Sequence, residues 1–129
     1  MIYGIGMDIV LIERLAQLIT RHGNKISDKI LAPCERDAYE KSTHQARFLS
    51  KRFAAKEAVA KALGTGFRAP VLMSTFWVQH TALGQPFIQG NAEFLAFLAE
   101  KKLVLHLSIS DEKTLASAYA IAEILHQPT

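Results

Sequence analysis

The chain is nearly free of cysteine, sparing in proline and without a long apolar run, and each shortage excludes a class of protein. One cysteine, Cys34, in 129 residues permits neither an internal disulfide nor a cysteine-rich zinc site. It follows Pro33 at a predicted helix start and reads as a bystander thiol, which fits a reducing compartment. Four prolines and seven glycines leave no room for a Pro/Gly-rich linker, and no internal repeat or low-complexity segment is present. No apolar run reaches the roughly 18–20 residues of a membrane span. The apolar N-terminus has no basic leader region or small-residue cleavage site, and Asp8 and Glu13 interrupt it, so it does not read as a signal peptide. The net charge of +3 is too weak to imply nucleic acid, but it suits an anionic ligand or an acidic protein partner. What remains is a cytoplasmic globular chain. Its 50% hydrophobic content is enough for one domain, residues 1–129, with a substantial core.

Against that background one charge stands out. Asp8 lies within Ile2–Ile12, an apolar stretch with no other ionisable side chain except the weakly acidic Tyr3. A carboxylate there loses water, and burying it unpaired costs several kcal/mol, on the order of a small domain's whole stability. The fold has to supply a cation, donors or a proton. A second carboxylate, Glu57, lies in a helix-like run, Arg52–Lys61, that also carries Lys56. Two carboxylates from distant segments, framed by cations, point to a divalent metal and a phosphate substrate. Magnesium suits this inventory because it accepts one or two carboxylates and completes its shell with water and phosphate oxygens. His22, His44, His80, His106 and His126 show no zinc-ligand spacing.

Periodicity predicts an α+β fold, an antiparallel sheet packed against a long helix. Residues 2–12 read as a strand, with Ile5, Met7, Ile9 and Leu11 on one face and Gly4, Gly6, Asp8 and Val10 on the other; Gly6 marks a close backbone approach. Residues 13–22 read as an amphipathic helix stopped near Gly23, with Arg14, Gln17 and Arg21 on a polar face. Short helices follow at 27–31, capped by Ser27, and at 34–41. The longest helix covers 44–63 and ends at Gly64. Then come strands at 75–80 and 87–89, a helix at 91–102 capped by Asn91, and a hairpin of strands 103–110 and 115–125, the later strands forming a meander with one inserted helix.

Taken alone, the other groups divide between structure and chemistry. Glu57 and Lys61 have the favourable i, i+4 order of a helix salt bridge. Gly64-Thr65-Gly66 follows a helix instead of opening one, so its dipole repels anions and a Walker-type cradle is excluded; a helix C-cap explains Gly64. His106, Ser108 and Ser110 share a strand face, where a histidine is usually structural. Three readings stay open here: a metal-dependent phosphoryl-type transferase, a magnesium-dependent nucleotide hydrolase, and a basic module that docks an acidic protein without turnover.

The pieces together resemble one family, the bacterial holo-[acyl-carrier-protein] synthases, which are small 4'-phosphopantetheinyl transferases. Gly6-Met7-Asp8-Ile9-Val10 with Arg14 resembles the first motif, Gly-x-Asp-x-Val followed by Arg. Phe48-Leu49, Lys51–Ala58 and Lys61–Gly66 resemble the second, built on Phe-x-x-Lys-Glu-Ala. Leu83-Gly84-Gln85-Pro86 resembles a Leu-Gly-x-Pro turn, and His106–Asp111 a His-x-Ser/Thr strand. The motifs follow in family order over essentially the whole chain, departing only at apolar positions and in the variable 23–46 segment. The resemblance implies transfer of phosphopantetheine from coenzyme A to a serine of apo acyl carrier protein, releasing adenosine 3',5'-bisphosphate and serving fatty acid biosynthesis. It implies that Asp8 and Glu57 bind Mg2+, and that Asp8, Glu57 and Lys61 are catalytic, with Lys61 at the phosphates. It places Arg52, Lys61, Gly64, Thr65, Gly66, Pro86 and His106 around coenzyme A. Arg14 and Arg21 would face the acidic carrier protein. It also implies a homotrimer with interfacial active sites, in which the small-residue strand 115–125 offers close subunit packing. The serine proton would pass to a water positioned by a carboxylate.

Overall fold

A computed structural model describes residues 1–125. Strand β1 (Ile2–Leu11) leads into helix α1 (Ile12–His22), then α2 (Asn24–Ile30), a 3-10 turn (Pro33–Glu35), α3 (Arg36–Lys41) and the long α4 (Gln45–Leu63). A hairpin of β2 (Phe76–His80) and β3 (Pro86–Gly90), helix α5 (Ala92–Glu100), and strands β4 (Leu103–Asp111) and β5 (Leu115–Ile124) complete the order. The α+β expectation is met. The meander is not: β5 lies between β1 and β4, all antiparallel, while β2 and β3 form a separate two-stranded sheet. The N-terminal strand thus pairs with the last one, Asp8 standing opposite Ala118.

Helix α4 packs against one face of the three-stranded sheet, and small residues let it come close. A Cβ at Gly6 would overlap the Ala58 carbonyl oxygen, and one at Gly4 the Ala62 carbonyl oxygen. These contacts show that β1 runs opposite to α4, so Asp8, two residues beyond Gly6 on the same face, falls beside the preceding turn of the helix. On β5, Ala116, Ala118, Ala120 and Ala122 are all buried. This corrects the expected use of that strand. Its alanines line the helix-facing side and serve packing within the chain, while Leu115, Tyr119 and Ile121 point outward and stay exposed.

Two local details also differ from expectation. Helix α2 begins at Asn24, so Ser27 lies inside it and its Oγ donates to the Asn24 carbonyl at 3.0 Å. The segment after Pro33 opens with the 3-10 turn before becoming α-helical. Elsewhere the punctuation acts as read. Asn91 Oδ1 accepts the Phe94 amide at 2.9 Å, and Gly64 closes α4 in the left-handed region at φ 74°.

Candidate active site

The close packing of β1 on α4 builds the centre of the site. Lys61, one turn beyond Glu57, reaches across to β1. Its Nζ donates to the Met7 carbonyl at 2.9 Å and approaches Asp8 Oδ1 at 3.4 Å. Asp8 is largely covered, its side chain 19% exposed, whereas the Lys61 side chain is 52% exposed. Glu57 is half-buried. Burial, then the Asp8 charge, raises its carboxyl pKa, and Lys61 acts in the opposite direction. Two carboxylates therefore have one half-exposed ammonium near them, which leaves negative charge in excess. The pair is too sparse for a protein-built cage, and no group of three or more His, Cys, Asp or Glu side chains suited to a metal occurs among the described residues. That fits Mg2+, which takes one or two carboxylates and draws its remaining ligands from water and substrate phosphate.

Two cavities lie along α4. One, of about 280 Å³, lies between α1, α2 and α4 and is walled by Val10, Leu15, Leu18, Ile30 and Phe53, with Arg14 and Lys29 on its lining. Val10 follows Asp8 by two on the same strand face and Phe53 precedes Glu57 by one turn, so this apolar groove borders the carboxylates. The second, of about 330 Å³, is more polar and is lined by Phe48, Lys51, Arg52, His80, Gly84, Pro86, Ile109 and Asp111. Desolvation, then Arg52 and Lys51, lowers the His80 pKa, the signature of a basic wall.

Behind the second cavity lies a cluster that the sequence did not reveal. Glu35 is buried and accepts four donors. Oε1 takes the Ala32 amide at 2.9 Å and Lys56 Nζ at 2.6 Å, and Oε2 takes Arg52 Nη1 and the Val78 amide, each at 3.2 Å. Lys56 is fully buried and also donates to the Ile30 and Met73 carbonyls. Burial lowers the pKa of both Lys56 and Arg52, and Glu35 opposes that in each case. The available signals were slight: a Lys-Glu pair in a helix with no clear polar face, and a carboxylate just after a proline-opened turn.

The structure brings Asp8, Glu57 and Lys61 together, and it places Arg52 and Pro86 on one cavity. Arg14 and Arg21 are exposed on α1, with only Arg14 on the groove. Gly64, Thr65 and Gly66 form the turn that ends α4; Thr65 Oγ1 donates to the Gly66 carbonyl at 2.7 Å, and Gly66 has φ 62°. His106 is not joined to these groups within one chain. Leu105, Leu107 and Ile109 pack on the core, so His106 projects from the opposite sheet face, where it meets Glu123 Oε1 at 3.0 Å. His126 lies outside the described residues.

Comparison with known proteins identifies the family. Residues 4–122 match the model of the 4'-phosphopantetheinyl transferase superfamily. The holo-[acyl-carrier-protein] synthase of Dechloromonas aromatica is 48% identical over 123 residues, covering 95% of this chain and 98% of the relative. The crystal structure of the Neisseria meningitidis holo-[acyl-carrier-protein] synthase superposes with a TM-score of 0.91 at 39% identity, covering 95% of this chain and 99% of that one. A Bacillus anthracis holo-(acyl-carrier-protein) synthase in complex with CoA (3',5'-ADP) superposes at 0.80 with 31% identity, covering 97% and 99%. Sequence, fold and a paired-carboxylate site lead to the same place: the chain belongs to the 4'-phosphopantetheinyl transferase superfamily, among its holo-[acyl-carrier-protein] synthases.

Proposed function

We propose that this chain is a single-domain, Mg2+-dependent enzyme that moves 4'-phosphopantetheine from coenzyme A to a serine of apo acyl carrier protein, releasing adenosine 3',5'-bisphosphate. The observation that carries the reading is the meeting of Asp8, Glu57 and Lys61 at the contact of β1 with α4, beside an apolar groove. In the reaction the serine oxygen forms a bond to the phosphorus that bears pantetheine. The bond from that phosphorus to the bridging oxygen breaks, and the bisphosphate leaves with the electron pair. Such transfers depend on positioning and charge neutralisation more than on covalent help from the protein. Asp8 and Glu57 would hold Mg2+, which when bound supplies positive charge at the pyrophosphate. Lys61 adds a cation at the phosphates. A water positioned by one of the carboxylates would take the serine proton.

The second cavity would take the nucleotide end of coenzyme A against Arg52 and Pro86; the Gly64-Thr65-Gly66 turn, at the far end of α4, would meet coenzyme A elsewhere. Arg14 and Arg21 would steer the acidic carrier to α1. The outer sheet face supports a homotrimer: Ile5, Ile9, Leu11 and Tyr119 are each more than half exposed, at 66%, 54%, 56% and 53%, more contiguous apolar surface than a lone antiparallel sheet normally leaves open. His106, on that same face, would then act at a neighbouring subunit's site. A cytoplasmic location and a role in fatty acid biosynthesis complete the reading. No helix of the described residues is long and apolar enough to cross a membrane.

The test is mass spectrometry of apo acyl carrier protein incubated with this protein, coenzyme A and Mg2+. The expected result is a gain of one phosphopantetheine on the carrier, abolished by chelation. No gain with any divalent metal would refute the reading. Sedimentation of the purified chain tests the trimer; a monomer at micromolar concentration would refute it.

A further inference from the structure

We propose that Glu35 is a positioning residue for the reaction: it clamps one nitrogen of Arg52 so that the rest of the guanidinium is presented, preformed, to a phosphomonoester in the basic cavity. This rests on the reading of that cavity as the nucleotide site. The Arg52 side chain is only 13% exposed, yet it lines the cavity. All of its hydrogen bonds to protein use Nη1, to Glu35 Oε2 at 3.2 Å and the Val78 carbonyl at 2.5 Å. The guanidinium lies over the Phe48 ring, 4.6 Å from its centroid. Nε and Nη2 have no protein acceptor among the described residues. Trp77 Nε1 is the sole buried side-chain nitrogen or oxygen there without a partner, so these two Arg52 nitrogens remain accessible.

The result is an arginine fixed on three sides with two donors still to spend. A guanidinium edge of that kind matches two oxygens of a phosphate bidentately. Lys51 lines the same cavity and adds a charge of the same sign, with Asp111 on the lining 3.9 Å from it. Glu35 cannot serve as a competing ligand for the anion's site, because its four acceptor positions are filled and it is buried. It fixes Arg52 without neutralising its open edge. A free arginine would lose several rotatable bonds on meeting a phosphate; this one has lost them already, which is how preorganisation raises affinity.

The test compares binding of adenosine 3',5'-bisphosphate with that of adenosine 5'-monophosphate by calorimetry, using the full chain. The unaltered protein is expected to favour the bisphosphate by about tenfold or more, the worth of one charge-assisted bidentate contact. Glu35→Gln with Lys56→Met removes both buried charges together, so neither is left unpaired. In that variant the preference should fall about fivefold, while 5'-monophosphate binding changes little. Arg52→Lys needs no change in the buried pair: lysine cannot reach Glu35 and the phosphate at once, so it should lose the preference although it keeps the charge. A preference retained in full by a folded Glu35 variant, or by Arg52→Lys, would overturn the positioning role. A purely structural Glu35 would lower the melting temperature and leave the ratio intact. An unaltered protein with no preference would instead remove the nucleotide reading of the cavity, and the proposal with it.

Discussion

Helix α4 carries two clusters of carboxylates and cations, and they are built in opposite ways. In the first, one buried carboxylate, Glu35, meets two cations and two backbone amides, and its partner Lys56 is fully enclosed with two further carbonyls. In the second, a single half-exposed lysine lies 3.4 Å from Asp8, and Glu57 feels the charges of both without an ion pair of its own. The first cluster is complete and leaves nothing for a ligand except the outer edge of Arg52. The second is short of positive charge, and that shortage is its usefulness: a metal and a phosphate supply what the protein withholds. The contrast separates structural charge from functional charge by whether the account closes within the chain. Both kinds alter pKa values, so altered titration alone does not distinguish them.

The comparison breaks most sharply in the closed cluster. Lys56→Met leaves Glu35 buried beside a partner that also has to serve the cavity, and the protein is expected to lose about 3–5 kcal/mol of unfolding free energy in urea titrations. Adding Glu35→Gln should restore part of it, because the buried carboxylate is then gone, although Arg52 loses its anion. If the double variant is no more stable than the single one, the charge of Glu35 is not what makes the loss of Lys56 costly. In the open cluster the order of effects is reversed. Glu57→Gln should cost about 10²–10³-fold in the rate of carrier modification without loss of folded stability, as judged by single-turnover mass spectrometry beside thermal melts. A fall in melting temperature to match the lost activity would make Glu57 a structural residue.

The two clusters also differ in how far they could be read from the chain. The open one was legible because its determinants are local. Gly6 and Asp8 stand two apart on one strand, so close approach and charge fall on one face, while Glu57 and Lys61 sit one helical turn apart. Their joining across β1 and α4 needed only that the strand pack on the helix. The closed cluster depends on contacts 17 and 21 residues apart in the chain that no periodicity announces. Lys56 directly precedes Glu57 and looks like a solvated helix lysine. It is buried because α4 runs through the middle of the fold, with sheet on one side and the α1–α3 segment and β2 on others, so an ordinary amphipathic reading of that helix fails. The strand of alanines misled for a related reason. Small residues signal close packing, but they do not say whether the neighbour is a helix of the same chain or another subunit. His106 followed strand alternation faithfully, and that is what separates it from Arg52 in a single copy.

A smaller effect tests how the open cluster meets its carrier. Arg14 lies at the groove beside Val10 and Phe53, whereas Arg21 is a further two turns along α1. Arg14→Ala should raise the carrier KM about three- to tenfold at low salt, with the coenzyme A KM unchanged, and the gap should narrow as salt is added. Arg21→Ala should do less. An unchanged carrier KM for Arg14→Ala at low salt would remove α1 as the docking element.

The smallest effect is the most direct measure of the charge left unpaired at the site. Burial and Asp8 raise the Glu57 carboxyl pKa in the folded chain, so the folded state holds that proton more tightly than the unfolded state does. Stability therefore falls as pH rises from the ordinary carboxylate range through the raised value, and above it the charged group is a constant burden. In metal-free protein at pH 7, Glu57→Gln should raise the melting temperature by about 1–3 °C, modest because solvent screens a half-exposed group. The gain should shrink as pH falls through the raised value and vanish once Glu57 is protonated in both states. Mg2+ should reverse the ranking at pH 7, stabilising the unaltered protein through binding to its folded form while leaving the variant where it was. A variant less stable than the parent in chelator at pH 7 would mean that Lys61 already satisfies both carboxylates, and the open cluster would be closed after all.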